Sequence, residues 1–471
     1  MNILKLTIDD IGKEVFAGSG PGGTNLGGAG TYGYPATPNI DALIAAGCLF
    51  TRANVEQLCS PTRAAIETGR HPERTGVTDI IRDDQDTSST QPCLQESEYT
   101  IAKCLKAIGY RTACFGKWHL GNVNCGGREH PNRMGFEVYA GNLFNLANSN
   151  FHIVNGDNKR EGYFAWDQTL GAKPSVCTAF HTTQVVNNAL RWIHDQREPW
   201  YCNVCFFGAH SPFINNTGIS PAAVNAPPVS LYDEATWSSA QSGTPSTTAT
   251  MHAYRAHIEA LDTEIGRLLA TIDYTDTLVV LVSDNGSSTT TLEQEVHPTI
   301  GAYPAGRGKD TPYETGTWSL LAMRGPGVSA GTRYESIVSA VDLFPTILGA
   351  AGCALPATTL DGVSLVAAMG GDNTPVRATS YGQWAQPMGI GVERVVQEWF
   401  IIGDADGSGA GRYTLIKPSI SGTHELYDNL PSGSYNPMQA TNLLLGTLTA
   451  GEAAAYAYLV DAAETLMESF P

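Results

Sequence analysis

The stretch Leu58-Cys59-Ser60-Pro61-Thr62-Arg63 sets a thiol at the start of a predicted helix, with a guanidinium about one turn further on. Ser60 suits a helix cap and Pro61 a first helical turn. Ala64, Ala65 and Ile66 continue the helix inward. Cys59 is therefore expected just ahead of the helix N-terminus, where unpaired N–H groups and the helix dipole favour an anion. Two readings of the thiol stand side by side. Free cysteines are most often small buried hydrophobes, and a thiolate in such a place can also be a nucleophile.

Oxygen donors gather at two predicted strand ends. The apolar run Ile3–Ile8 stops at Asp9-Asp10, and the near-continuous run Thr277–Ser283, of the parallel-sheet type, stops at Asp284-Asn285-Gly286. Carboxylates and an amide at the carboxyl ends of strands suit a ligand site in an α/β sheet and a hard cation. Solvated turns are the plainer alternative.

Cations and imidazoles follow other strands. Gly116-Lys117-Trp118-His119-Leu120-Gly121 closes the strand Tyr110–Phe115, and two positions apart on a strand face the same side. His210 follows the buried strand Trp200–Phe207, and Lys309 lies in the loop Gly306–Gly316. Cys202 and Cys205 form a C-x-x-C, but positions three apart on a strand face opposite sides, so they make no zinc or redox pair.

The elements that must hold these residues are legible in outline. A helix with Ile40, Leu43 and Ile44 on one face stops at Gly47, and Cys48–Thr51 is a strand leading toward Cys59. Helices are expected at Tyr99–Ile108, Gln184–His194 and His252–Ile272, the last read as plain core packing. The glycine-rich run Gly18–Gly30 lacks a P-loop ending and reads as irregular loop. Asn122–Lys173 is loop-rich, and Ile214–Thr250, rich in Ser, Thr, Ala and Pro, reads as a surface excursion. After about Asn373, short strands alternate with glycine turns and a final helix runs from about Gly451 to Ser469.

Composition narrows the partners. The 471 residues carry 28 basic and 46 acidic side chains, a net charge of −18, which argues against nucleic acid. An anionic substrate must be drawn in by a local basic cluster. No apolar run approaches a membrane span, and Met1–Ile8, with no long apolar run and no cleavage site, is not expected to be a secretory signal. Ten cysteines without a dense framework fit mostly reduced thiols in a cytoplasmic protein. The sequon Asn215-Asn216-Thr217 is then a pattern only.

Cys59-x-Pro61-x-Arg63 followed by Thr68-Gly69-Arg70 resembles the signature of type I sulfatases, and Gly116-Lys117-Trp118-His119-Leu120-Gly121 resembles their second signature. Asp9-Asp10, Thr37-Pro38-Asn39-Ile40-Asp41, Asp284-Asn285-Gly286, Val341–Thr346, His424–Asp428 and Asn442-Leu443-Leu444 follow the family order. The loop around Lys309 departs from the family form, with Asp310 and Thr315 where glycines are common. Arg133-Met134-Gly135-Phe136 resembles the region that shapes the family's substrate mouth.

The resemblance implies an alkaline-phosphatase-like α/β fold. A mainly parallel central sheet flanked by helices would span 1–372, with a smaller sheet-plus-helix subdomain at 373–471. It implies that Cys59 matures to formylglycine through a formylglycine-generating enzyme. It also implies that Asp9, Asp10, Asp284, Asn285 and residue 59 hold Ca2+, with Mg2+ or Mn2+ as alternatives. Arg63 and Lys117 would hold residue 59, His119 would be the base, and His210 and Lys309 would bind the sulfate group and serve the leaving oxygen. The activity implied is hydrolysis of a small-molecule sulfate ester. A phosphonate monoester or phosphodiester hydrolase using the same site is the nearest rival, and a non-catalytic anion-binding homologue a more distant one. A homodimer through the C-terminal tail fits equally well with a monomer.

Overall fold

The computed structural model describes residues 1–81, 93–146, 153–154, 157–158, 162–164, 166–197, 199–211, 225–241, 246–386, 395–406, 408–419, 421–430, 439 and 441–470. The sequon at 215–217 and Pro212-Phe213 lie outside these.

The main sheet has ten strands, in chain order β1 (Asn2–Ile8), β2 (Cys48–Asn54), β3 (Arg111–Gly116), β4 (Val138–Gly141), β5 (Trp166–Leu170), β6 (Lys173–Cys177), β7 (Trp200–Cys205), β8 (Thr277–Ser283), β9 (Trp318–Arg324) and β10 (Thr332–Ser339). Their spatial order is β10-β2-β9-β8-β1-β7-β3-β4-β5-β6. β8, β1, β7, β3 and β4 pair in parallel, as do β10 and β2. Strand β9 runs antiparallel between β2 and β8, and β5 runs antiparallel to β4 and β6. The strands nearest the centre are buried on both faces, which is why β8 reads as an unbroken apolar run.

Helices cover both faces. On one side α2 (Cys59–Thr68), α3 (Ile101–Ala107) and α6 (Leu343–Ala350) pack through Ala65, Leu105 and Phe344 against Phe50, Val280 and Met323. On the other, α1 (Pro38–Ala45), α4 (His181–Asp195) and α5 (Thr247–Leu269) pack through Leu43, Val185 and Leu261 against Leu4, Leu6 and Val279. Cys202 and Cys205 fall in these two opposite layers, as strand alternation requires.

A four-stranded antiparallel sheet follows: β11 (Thr379–Gln386), β12 (Val395–Gly403), β13 (Tyr413–Lys417) and β14 (Glu425–Asp428). Helix α7 (Ala450–Glu468) covers one face through Leu459 and Ala463 on Ile401 and Leu415. Phe400, Ile402 and Ile416 on the other face meet Ile337 of β10, joining the small sheet to the large one.

Two expectations change. Asn122–Lys173 is not only loop: it supplies β4 and β5, which extend the main sheet. Met134 and Phe136 are buried core residues, so they do not line a substrate mouth. The thiols are mostly reduced, as expected: Cys93 and Cys125 form a disulfide, while the other eight cysteines are free, Cys59 among them.

Candidate active site

The residues singled out for chemistry lie just beyond the carboxyl ends of the central strands or in the first turns of α2, except Lys309, which reaches the site from the loop between β8 and β9. Cys59 is the first residue of α2 rather than the residue ahead of it, with Leu58 in the capping position. Ser60 is not the cap; its hydroxyl accepts instead from the Ile81 amide at 3.1 Å. Cys59 is fully buried.

The strand ends converge by register. Ile8 pairs with Ser283, so Asp9 and Asp284 leave adjacent parallel strands at the same level, and the Asp284 amide donates to the Ile8 carbonyl at 3.0 Å. Ligand atoms of Asp9, Cys59 and Asp284 lie within 4.8 Å of one another, as do those of Asp9, Asp10 and His210. The Asn285 side chain donates to Asp10 Oδ1 at 2.8 Å.

Cations pin this oxygen cluster from several sides. Arg63 reaches Asp284 Oδ2 through Nε at 2.9 Å and Nη2 at 2.7 Å, lies 3.6 Å from Asp9 Oδ2, and donates to the Lys117 carbonyl at 2.9 Å. Lys117 is ion-paired with Asp9 and Lys309 with Asp10. The Lys309 ammonium also lies 3.9 Å from Cys59 Sγ. His210 Nε2 lies 3.6 Å from Asp10 Oδ2, and its ring stacks on Phe207.

Local backbone makes these approaches feasible. Gly116 has φ +94°, and a Cβ there would meet the Cys205 carbonyl oxygen at 1.9 Å, so only glycine lets Lys117 turn off β3 here. Lys117 and His119 converge through this turn and not by strand alternation, because both lie beyond β3 and His119 has φ 60°. Asp10 is likewise left-handed, with φ 57°. Non-glycine residues held in this region are strained, and such strain gathers at functional sites.

Burial and mutual charge set the protonation states. Burial pushes Asp9 up, but Lys117, His210, Arg63 and Lys309 together hold it far below the usual carboxylate range. Burial and the neighbouring Asp9 charge push Asp284 up to about 6, against Arg63 and the lysines. Burial raises the Cys59 thiol in spite of Lys117 and Lys309, which disfavours a simple thiolate. Burial, with the nearby Lys117 and Arg63 charges, keeps His119 neutral, its pKa well below the ordinary value. Its Nε2 faces the Ile81 carbonyl at 2.9 Å, and its Nδ1 is buried without a hydrogen-bond partner among the described residues.

The donor set fits a hard cation. Among the described residues, Asp9 Oδ1, Asp284 Oδ1 and Asn285 Oδ1 are buried oxygens without hydrogen-bond partners, and they share the cluster with Asp10.

Some supporting residues carried no sequence signal. Tyr254 lies in the helix read as plain packing, yet its hydroxyl donates to the Asp10 carbonyl at 3.1 Å. Tyr163 donates to the His210 carbonyl at 2.8 Å from a segment with no motif. Ser287 directly follows Asp284-Asn285-Gly286, so its position, though not its partners, was open to view.

Residues 2–353 match the sulfatase family. Human arylsulfatase A is 28% identical over 388 residues, covering 77% of this chain and 66% of that protein. N-acetylgalactosamine-6-sulfatase of Canis lupus familiaris is 28% identical over 402 residues, covering 81% of this chain and 68% of that protein. The matches thus span about two thirds of the length of these relatives. Among solved structures, a protein in complex with its substrate D-glucosamine-2-N,6-O-disulfate superposes with a TM-score of 0.69 at 19% identity, covering 100% of this chain and 98% of that one. A sulfatase from Pseudoalteromonas sp. superposes with a TM-score of 0.66 at 20% identity, covering 100% and 91%. At these identities the superpositions speak for the fold, which they share over its whole length. With three quarters of its length matched by the family pattern and both signatures meeting in one site, the chain belongs to the sulfatase family of sulfuric ester hydrolases, within the alkaline-phosphatase-like superfamily.

Proposed function

We propose that the protein hydrolyses small-molecule sulfate esters to an alcohol and sulfate, with residue 59 acting as a formylglycine made from Cys59. The observation that carries this reading is the meeting of Asp9, Cys59 and Asp284 ligand atoms within 4.8 Å, with the Lys309 ammonium 3.9 Å from the sulfur. The names of the relatives, arylsulfatase and N-acetylgalactosamine-6-sulfatase, support a sulfate ester as substrate.

The aldehyde hydrate would supply two hydroxyls on one carbon, one to attack sulfur and one whose deprotonation lets sulfate depart; a serine has only the first. Asp9, Asp10, Asp284 and Asn285 would hold the cation, Ca2+ in our reading, which would polarise the ester oxygens. Arg63 and Lys117 neutralise two of those carboxylates, so their part is to keep Asp9 and Asp284 ionised beside residue 59. Lys309 and His210 face Asp10 from the more open side, where they would bind the sulfate oxygens and protonate the leaving oxygen. His119, neutral and with an Nδ1 that no described residue hydrogen-bonds, is the candidate base. This cationic lining answers how a chain of charge −18 accepts an anionic ester.

The test is a rate comparison on an aryl sulfate, a phosphonate monoester and a phosphate diester, using protein made alongside a formylglycine-generating enzyme. Highest kcat/KM on the sulfate supports the reading. Preference for the phosphonate or the diester would overturn the substrate assignment while keeping the site. No turnover of any of the three by formylglycine-bearing protein would favour an anion-binding homologue.

A further inference from the structure

We propose that Tyr254 and Ser287 are positioning residues that clamp the two strand ends of the cation site together and hold Asp10 in its left-handed conformation. This rests on the cation-site reading above and extends it to side chains that touch neither cation nor substrate.

The clamp is a directed chain of hydrogen bonds. The Gly12 amide donates to Ser287 Oγ at 3.0 Å. Ser287 Oγ lies 2.9 Å from the Tyr254 hydroxyl, and that hydroxyl donates to the Asp10 carbonyl at 3.1 Å. Tyrosine has one proton to give. With it directed at Asp10, Tyr254 can only accept from Ser287, whose oxygen accepts from Gly12 and whose proton also faces the buried Glu14 carboxylate. All three links are buried, with Tyr254 1% and Ser287 0% exposed, so water does not replace them.

The topology gives the chain its meaning. Gly12 follows Asp9-Asp10 beyond β1, and Ser287 follows Asp284-Asn285 beyond β8. Past the last register pair, Ile8 with Ser283, and the Asp284 amide bond to Ile8, the strand ladder no longer holds the two loops. Ser287 and Tyr254 take over that role where the ligands sit. The Ser287 carbonyl also accepts from the Lys309 amide at 2.8 Å, which ties the lysine loop into the same point. Asp10 needs such support because φ 57° is unfavourable for a residue with a Cβ. Once its carbonyl is fixed, its carboxylate can meet Asn285, Lys309 and His210 together.

The experiment is Ca2+ affinity by chelator competition on the full-length protein, wild type against Tyr254→Phe, Ser287→Ala and Ser287→Thr. Tyr334→Phe is the control, since it deletes the hydroxyl of an equally buried tyrosine on β10, bonded to the Thr374 carbonyl at 2.9 Å, away from the cation loops. Outer-shell groups of metal sites are worth roughly 10- to 100-fold in affinity. We expect a loss of that size in Tyr254→Phe and Ser287→Ala, partial recovery in Ser287→Thr, and none in Tyr334→Phe. Turnover by the two weakened variants should recover at saturating Ca2+, so that the defect lies in occupancy. Wild-type affinity, within about threefold, in either Tyr254→Phe or Ser287→Ala would overturn the clamp. If Tyr254→Phe fails to fold, Ser287→Ala, a one-atom deletion, decides alone. A wild-type protein that binds neither Ca2+, Mg2+ nor Mn2+ would remove the cation reading itself, an outcome distinct from equal binding by wild type and variant.

Discussion

Arg63 grips a single oxygen of Asp284: its Nε and Nη2 lie 2.9 and 2.7 Å from Oδ2, while Oδ1 of the same carboxylate is buried with no hydrogen-bond partner among the described residues. Asp9 is divided in the same way, with Oδ2 on Lys117 and Oδ1 without a hydrogen-bond partner among the described residues. One oxygen of each acid is held by protein, and the other would face the proposed cation.

Removing the cation should therefore destabilise the fold as well as stop turnover. At a free cation concentration a hundred times Kd, binding adds about 3 kcal/mol. Wild-type protein stripped with a chelator should melt several degrees lower, and Ca2+ should restore both melting temperature and activity. An unchanged melt in protein shown to have lost its metal would contradict this.

Cys59→Ala should lose roughly 10⁴-fold or more of kcat, the scale seen when a nucleophile is removed. The fold should survive, because Cys59 is a small buried residue at the start of α2 and alanine is helix-compatible. Residual turnover within tenfold of wild type would remove residue 59 from the chemistry.

The helix that carries Cys59 and Arg63 is anchored by a buried ion pair. Lys5 of β1 lies 2.5 Å from Glu67 of α2, and Asn203 donates to the same Glu67 oxygen at 3.2 Å. Lys5→Met strands a buried carboxylate and should cost about 3–5 kcal/mol in urea unfolding. The double change Lys5→Met with Glu67→Leu should recover most of that stability. Equal destabilisation by the single and double variants would show that the pair is not coupled.

His130 makes stability fall in mild acid. Burial pushes its pKa from 6.5 down to about 4, and the Trp118 indole donates to its Nδ1 at 2.8 Å. Between those two values the unfolded chain takes up a proton that the folded one refuses. The contribution is thus complete above pH 6.5 and lost as pH falls toward 4. Its full size is about 3 kcal/mol. Urea unfolding at pH 7 and pH 5 should show the loss, and His130→Gln should flatten the difference. A wild-type stability that rises on acidification through this range would contradict the sign.

Much of the site was legible because its residues sit at strand ends, where local sequence fixes position. Asp9-Asp10 and Asp284-Asn285 follow apolar runs that became β1 and β8, and the register of those strands brought the acids together. Cys59 and Arg63 share one short helix and needed only helical spacing. What remained hidden depends on long-range packing. Tyr254 looked like any aromatic residue on a core-facing stripe, since nothing local says that its hydroxyl meets Asp10, 244 positions away. Strand β4 was missed because it is four residues long within a loop-rich segment. The turn that places His119 uses a left-handed residue that strand alternation does not anticipate.

The most direct test of the central claim is peptide mass spectrometry across residue 59, on a preparation that releases sulfate from an aryl sulfate. The account predicts that the active fraction carries the mass of the aldehyde or its hydrate, and that activity across preparations rises with that fraction. Full turnover by protein whose Cys59 is entirely unmodified thiol would contradict it.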